Sequence, residues 1–255
     1  MMILLKKEWL EMVRSFRILW LPLLFILLGI SDPLSNYYME DILQKFGNMP
    51  EGFSMTLPEL TPSDLLMASL GQFQMIGLIV IVAVTASMIS RERQNGTATL
   101  IYVRPVSNFS IYMSKFLAMS GLAAICTVAG FGASMYYTYL LYGSVTVKAF
   151  LLLLLFYWLW LLVVIAITLT LSAAFTTSIA MTAAMILFPL GILLDSIIGT
   201  YWHYSPYKLA TYGASWLTKS SDYSMNTTVI TLCIMIIAII IGIVLTGKKR
   251  STTKI

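Results

Sequence analysis

The sequence predicts an all-α membrane protein, with six transmembrane helices in one domain that covers residues 1–255. Hydrophobic residues make up 59% of the chain, charged residues only 11%, and the mean hydropathy is +0.86. A soluble domain carries about 25% charged residues. The apolar runs are continuous, as in residues 151–171, whereas a transmembrane barrel needs alternating polar and apolar positions. Each span is therefore a helix, because a helix satisfies its own backbone amides inside the bilayer.

Six apolar stretches are each long enough to cross the hydrocarbon core, which takes roughly 20 residues. The predicted spans are residues 18–37, 64–89, 111–141, 149–171, 178–198 and 229–246. Only 14 residues separate Arg17 from Asp32, so the first span must continue as a helix through Asp32 and Pro33.

Residues 2–15 form an amphipathic segment ahead of the first span. We expect this segment to lie in the plane of the membrane interface. A signal peptide is a poorer interpretation, because the segment is long and contains Glu8 and Glu11. The apolar side chains that can share one side of this helix are Ile3, Leu4, Trp9, Leu10, Met12 and Val13.

The basic residues predict the orientation. With the N-terminus in the cytoplasm, 12 of the 16 Lys and Arg residues fall in cytoplasmic segments and only Lys45, Lys148, Lys208 and Lys219 fall outside. This asymmetry places both termini in the cytoplasm. The net charge of +5 then predicts contact with anionic lipid headgroups, and nucleic acid is not expected as a partner.

Residues 90–115 form a polar, basic segment between the second and third spans, on the predicted cytoplasmic side. The pairs Asn95-Gly96 and Arg104-Pro105 are turn signals, and apolar residues lie between them. The segment is longer than a turn requires. It is either a docking element held against the membrane face or a solvated linker.

Two segments are predicted outside the cell. Residues 35–63 are rich in proline and acidic residues, and a short helix is possible over residues 38–46. Residues 199–226 are aromatic, which is typical of the headgroup level. This second segment either dips back toward the membrane or is an ordinary external loop.

No catalytic, cofactor-binding or metal-binding residue is predicted. The single histidine, His203, and the two cysteines, Cys126 and Cys233, are too few for a metal site. Residues 242–248 match the start of a phosphate-binding loop, but Lys249 stands where Ser or Thr must bind magnesium. The chain is therefore not expected to be an enzyme.

Two acidic residues, Asp32 and Asp195, lie near the outer ends of the first and fifth spans. Either they line a polar pathway or they are solvated at the interface. The spans carry no array of carboxylates that resembles a proton or sodium relay. A motor supplied from outside the chain is therefore more plausible than ion coupling.

The chain resembles the permease (transmembrane) subunit of a type-2 ABC exporter, a six-span family that works with a separate ATPase. Residues 6–17, KKEWLEMVRSFR, resemble the family's elbow helix. The family commonly shows an Arg/Glu pair followed by Gly-Thr, and this chain has Arg91-Glu92 and Gly96-Thr97 there. The family continues with an apolar turn, a Pro-Val-Ser stop and a Lys, which resemble residues 100–103, residues 105–107 and Lys115. The resemblance covers most of the chain.

The resemblance implies that residues 90–115 form a cytoplasmic coupling helix that docks on the ATPase. It also implies that residues 199–226 form a re-entrant outer hairpin. One departure is Thr99-Leu100, where the family often has an acidic residue, and this weakens a charge-pair account of docking. The residues expected to couple to the ATPase are Glu92, Gly96, Thr97, Leu100, Ile101, Val103 and Pro105.

The expected function is that of the transmembrane subunit of an ATP-driven ABC exporter, multi-pass in a bacterial cell membrane. It would form the substrate pathway as a dimer, with a second copy or a paralogue. ATP and magnesium would bind the partner ATPase and not this chain. Alternatives are a non-transport membrane anchor or immunity protein, which binds a partner directly, and a secondary transporter. Apolar span interiors favour a lipid, amphipathic peptide or drug as the substrate.

Overall fold

A computed structural model describes residues 1–39, 60–96, 106–218 and 224–252. These ranges contain no strand and eight helices, of which all but α1 and α7 are long and apolar enough to cross a membrane. The fold class and the six spans are therefore confirmed. The helices are α1 Met2–Arg14, α2 Arg17–Tyr37, α3 Pro62–Gln94, α4 Asn108–Tyr142, α5 Val147–Ala174, α6 Thr177–Ile198, α7 Lys208–Ser215 and α8 Met225–Thr252.

The ends of α3 and α4 explain why these helices exceed the predicted spans. At the start of α3, the Thr61 hydroxyl accepts from the Asp64 amide at 3.3 Å, and the Asp64 carboxylate accepts from the Thr61 amide at 2.9 Å. This reciprocal pair is a capping box. At the start of α4, the Ser107 hydroxyl accepts from the Ser110 amide. Much of the predicted polar segment, residues 90–94 and 108–115, therefore belongs to these two helices.

Helix α2 continues through Pro33, as predicted, and packs along α4. The two backbones meet at Gly29 and Gly130. A Cβ added to Gly29 would lie 2.2 Å from the Gly130 carbonyl oxygen, and one added to Gly130 would lie 2.9 Å from the Phe73 ring. Small residues at such crossings let membrane helices approach closely.

Four aromatic rings fill the centre of the bundle, one from each of α2, α3, α4 and α5. The ring centroids of Phe25 and Phe73 are 5.3 Å apart, those of Phe73 and Phe131 4.7 Å, and those of Phe131 and Tyr157 5.4 Å. All four side chains are fully buried. This ring cluster joins the four helices at mid-length.

Helix α3 is interrupted by one π-helical segment, Phe73–Gly77, which the sequence analysis did not predict. Such a segment adds a residue to one helical turn. It turns Phe73 and Gly77 inward, where a Cβ on Gly77 would lie 2.9 Å from the Phe25 ring. The Tyr157 hydroxyl donates a hydrogen bond of 3.0 Å to the Phe73 carbonyl oxygen.

Helix α1 lies against α4 and α2. The sequence analysis placed its apolar residues on one side, and the structure divides them. Met12 and Glu8 are buried against the bundle, whereas Ile3 and Leu10 are exposed. The difference arises because α1 packs on protein along one face and leaves another face open. Its predicted position in the membrane interface stays a prediction.

Within residues 199–218, helix α7 packs on α5. A Cβ added to Gly213 would lie 2.9 Å from the Cα of Leu153, so the two backbones are close. The Lys208 ammonium donates to the carbonyl oxygens of Gly199, at 2.6 Å, and Trp202, at 2.9 Å, and so holds the turn after α6. The re-entrant hairpin stays a prediction.

Candidate functional site

Five charged side chains meet at the end of the bundle that carries the N-terminus, here called the basic end. Lys7, Glu8 and Glu11 come from α1, Glu92 from the last turns of α3, and Lys115 from the start of α4. We call this group the charged cluster. It connects the two helices on either side of residues 97–105 to the N-terminal helix.

Lys115 is the centre of the charged cluster. Its Nζ lies 3.0 Å from Glu8 Oε1 and 2.9 Å from Glu92 Oε2, and its side chain is only 2% exposed. Lys7 Nζ lies 3.1 Å from Glu8 Oε1, also contacts Glu92 Oε1, and lies 3.5 Å from Glu11 Oε2. Both oxygens of Glu92 are therefore paired with a lysine.

Burial by itself would lower the pKa of the Lys7 ammonium. The negative charges of Glu8 and Glu92, and the hydrogen bonds to them, outweigh this effect and raise the pKa of Lys7 well above its usual value. Lys7 is therefore positively charged at every physiological pH. Glu8 and Lys115 are the buried members of the cluster, and Glu92 is largely buried. Removing one member of a buried ion pair is strongly destabilising, because the other charge is left uncompensated.

The carboxylates of Glu8, Glu11 and Glu92 lie within 4.8 Å of one another, a spacing that would suit a metal ion. Here the ammonium groups of Lys7 and Lys115 occupy the oxygens of Glu8 and Glu92. A cation would have to displace both lysines. The arrangement is therefore best described as an ion-pair network that fixes three helices.

The residue after Glu92 connects α3 to a different neighbour. The Arg93 guanidinium donates to the carbonyl oxygens of Ala173, at 2.7 Å, and of Ser172 and Phe175, each at 2.8 Å. These carbonyls have no helical partner at the end of α5, and a cation there is also favoured by the helix dipole. Adjacent residues of α3 thus bind α1 and α4 on one side and α5 on the other.

The structure describes two of the residues expected to couple to an ATPase. Glu92 lies in the charged cluster, and Gly96 ends α3 with φ +72°, a left-handed conformation that favours glycine. The Gly96 amide donates to the Arg93 carbonyl oxygen at 3.2 Å. The other five lie outside the described residues, and their role stays a prediction: Thr97, Leu100, Ile101, Val103 and Pro105.

The two acidic residues proposed for a pathway lie at the opposite end of the bundle. Asp32 Oδ1 accepts from Gln72 Nε2 at 2.7 Å, and the Ser31 hydroxyl donates to Gln72 Oε1 at 2.9 Å. Asp195, on α6, has one buried carboxylate oxygen without a partner among the described residues. Among the described residues no hydrogen bond or ion pair joins Asp32 to Asp195, and a pathway role for either residue stays a prediction.

Residues 242–248 are not a phosphate-binding loop, because they lie within the continuous helix α8. Gly242 serves packing there, since a Cβ would lie 2.3 Å from the Tyr112 ring. Sequence reasoning missed the ion-pair network around Glu92, in which Lys7 and Lys115 pair with both Glu92 and Glu8. The available signal was Lys115 itself, a charge several residues inside an apolar helix.

Comparison with known proteins identifies the family. Residues 2–250 match the sequence model of the family described as ABC-2 family transporter protein. A protein of Bacillus subtilis (strain 168), described as the uncharacterized transmembrane protein YxlG, is 33% identical over 150 residues. The matched region is 59% of this chain and 58% of that relative, so the chain spans little more than half of the relative's length. Because the family match extends from α1 into the last helix, the chain belongs to the ABC-2 transporter family.

Proposed function

We propose that this chain is the permease subunit of an ATP-driven exporter and that it is coupled to a separate ATPase through the segment between α3 and α4. One observation carries the proposal. The charged cluster ties both helices that flank this segment to α1, through ion pairs of 3.0 Å and 2.9 Å made by Lys115. A displacement of the segment is therefore passed to three helices together.

The proposal changes the expected role of Glu92. Its side chain is only 15% exposed, and both of its carboxylate oxygens are paired with lysines. A group held in this way transmits movement between helices and is poorly placed to bind a partner. The contact with the ATPase then falls to the apolar residues Leu100, Ile101 and Val103, because buried apolar anchors carry most of the energy of such an interface.

The same proposal sets the orientation and the assembly. The basic end faces the cytoplasm, where the ATPase would bind, as the distribution of Lys and Arg indicates. Large apolar side chains are exposed along α2, α6 and α8, for example Leu23, Ile186 and Ile240. These apolar faces contact lipid and, in the assembled transporter, a second permease copy or a paralogue. The apolar pathway between two subunits would suit a lipid or another amphipathic substrate.

The test is co-purification of the chain with its ATPase after the double substitution Leu100→Asp and Ile101→Asp. Two carboxylates in an apolar groove should release the ATPase and abolish transport, while insertion into the membrane stays normal. The matched control is Gln94→Glu with Asn95→Asp, which adds two negative charges at exposed positions of the same segment. This control should retain the ATPase.

Retention of the ATPase and of transport by the Leu100→Asp/Ile101→Asp variant would show that the coupling role is wrongly assigned. Residues 97–105 would then be a linker. If the wild-type chain binds no ATPase subunit at all, the exporter proposal itself fails and the membrane-anchor alternative takes its place.

A further inference from the structure

The second span, α3, belongs to two different groups of helices, and its π-helical segment lies where it passes from one to the other. Residues 62–72 pack on α2 and α4. Residues 78–94 pack mainly on α5 and α6. The change of neighbours coincides with Phe73–Gly77, the one stretch of α3 that departs from α-helical geometry.

Separate polar contacts fix each half of α3 to its own group. In the first half, Gln72 donates to Asp32 of α2 at 2.7 Å, and the hydroxyls of Ser69 and Ser134 of α4 are 2.8 Å apart. Both contacts are made by residues before the π-helical segment.

In the second half, Ser172 of α5 donates to the Ala86 carbonyl oxygen at 2.7 Å and accepts from the Ser90 amide at 3.1 Å. The hydroxyls of Ser90 and Thr177 of α6 are 2.8 Å apart, and Arg93 caps the end of α5. These bonds attach residues 78–94 firmly to α5 and α6.

We propose that the π-helical segment Phe73–Gly77 is a hinge between these two helix groups, and that the charged cluster is the latch that closes the groups against each other at the basic end. Group one is α1, α2, α4 and residues 62–72. Group two is α5, α6 and residues 78–94. Glu92 is part of group two, but its ion-pair partners, Lys7 and Lys115, are part of group one.

The surroundings of the hinge permit bending. A cavity of about 400 Å³ lies between the hinge and α6, lined by Gln74 and Met75 of α3 and by Pro189 and Ser196 of α6. Movement toward this space meets no packed atoms on that side of α3. Pro189 has no amide hydrogen, so α6 also lacks one of its backbone hydrogen bonds opposite the hinge.

Tyr157 acts as a positioning residue for the hinge. A π-helical turn disturbs the regular backbone ladder, and the Phe73 carbonyl oxygen accepts from the Leu78 amide and, at 3.0 Å, from the Tyr157 hydroxyl. Its ring is fixed among Phe73 and Phe131. Without the hydroxyl, the Phe73 carbonyl oxygen keeps only the Leu78 amide as a donor, and the π-helical geometry loses the support that comes from α5. Two further hydrogen bonds join α4 of group one to α5 of group two. The Tyr112 hydroxyl donates to the Ala166 carbonyl oxygen at 2.9 Å, and the Trp158 indole donates to the Ser120 carbonyl oxygen at 3.2 Å.

The test measures distances between paired spin labels in the purified chain, without an ATPase, so it does not depend on the proposed function. The background replaces Cys126 with Ala and Cys233 with Ser. One label pair, Leu10→Cys with Arg91→Cys, reports across the two groups. Two control pairs report within them: Ala68→Cys with Tyr136→Cys in group one, and Arg91→Cys with Ile179→Cys in group two. All five labelled positions are exposed.

Glu92→Gln should add a longer-distance population to the pair that spans the groups and leave both control pairs unchanged. Adding Tyr157→Phe should increase that population further. The matched control, Tyr212→Phe, removes another buried hydroxyl, which lies 3.2 Å from Thr227 and away from the hinge, and should add nothing. No change in the spanning pair, or equal broadening in all three pairs, would overturn the hinge.

A second measurement applies if the double variant cannot be purified. Tyr157→Phe alone should speed amide hydrogen exchange over residues 73–82 relative to the wild type, and Tyr212→Phe should not. Equal exchange in the wild type and Tyr157→Phe would show that the hydroxyl does not hold the hinge.

Discussion

At the scale of single residues, Lys115 shows how a membrane protein keeps a charge inside its bundle. The ammonium is almost completely buried, and it is tolerated because two carboxylates lie within 3.0 Å of it. Such a group of ions is not a strong source of stability compared with apolar side chains of the same size. The ion pairs favour the arrangement of α1, α3 and α4 in which Glu8, Glu92 and Lys115 lie together.

Replacing Lys115 with Met keeps the length of the side chain and removes its charge. Glu8 and Glu92 then lose their main partner, so we expect a loss of about 3–5 kcal/mol in stability. The control is Lys6→Met, at an exposed position of α1, which should change stability by less than about 0.5 kcal/mol. Thermal unfolding in detergent measures both, and equal midpoints for the two variants would contradict a stabilising role for the network.

The sequence predicted a coupling role for Glu92, which stays a prediction, and it did not predict the ion-pair network around this residue. Within that network Glu8 and Lys115 are 107 positions apart in the chain, and no local pattern connects them. Their pairing depends on how α1 lies on α4, which is a property of the packed bundle. The position of Gly96 after α3 agrees with local backbone geometry, which favours glycine at the end of a helix, whereas its coupling role stays a prediction.

At the scale of helices, the apolar runs predicted all six spans, because the thickness of the bilayer fixes their length. The continuation of α2 through Pro33 followed from the same argument. The π-helical segment Phe73–Gly77 could not be predicted in this way, because an apolar run has the same composition and number of residues whether or not one of its turns is π-helical. It depends on Phe25 and Tyr157, which come from other helices.

The crossing of α2 and α4 supplies a prediction at this scale. Gly130→Ala places a methyl group 2.9 Å from the Phe73 ring and 3.0 Å from the Phe25 carbonyl oxygen, so the helices must separate. We expect a loss of about 1–3 kcal/mol, as for other overpacked cores. The control is Gly132→Ala, two residues further along α4. Its added methyl group meets no atom within 4 Å, so this variant should be neutral or stabilising. Thermal unfolding in detergent compares the two, and a neutral Gly130→Ala would refute the close crossing.

At the scale of the whole molecule, the bundle has two ends of different character. The basic end carries the charged cluster, and the other carries aromatic residues such as Tyr201 and Trp202. Apolar side chains cover the sides of α2, α6 and α8, in keeping with contact with lipid. The positions of Lys and Arg along the sequence indicated this arrangement, because most of them fall in segments at one end of the spans. The assembly of subunits does not follow from it.

Labelling with a thiol reagent that cannot cross the membrane checks the orientation. With Cys233 replaced by Ser, a cysteine at Asn95 should react only after the membrane is opened, because we expect the basic end in the cytoplasm. A cysteine at Tyr201, which is 85% exposed at the opposite end, should react in intact cells. Labelling of position 95 in intact cells would reverse the proposed orientation.

The glycine crossing of α2 and α4 also has a consequence for biogenesis. Helix α2 makes its most extensive contacts with α4, a helix synthesised later, and fewer with α3, which follows it directly. During translation α2 must wait in the membrane with its glycine face uncovered until α4 emerges from the ribosome. In that interval lipid covers Gly29, and a nascent chain stalled before α4 lacks the helix on which α2 packs most extensively.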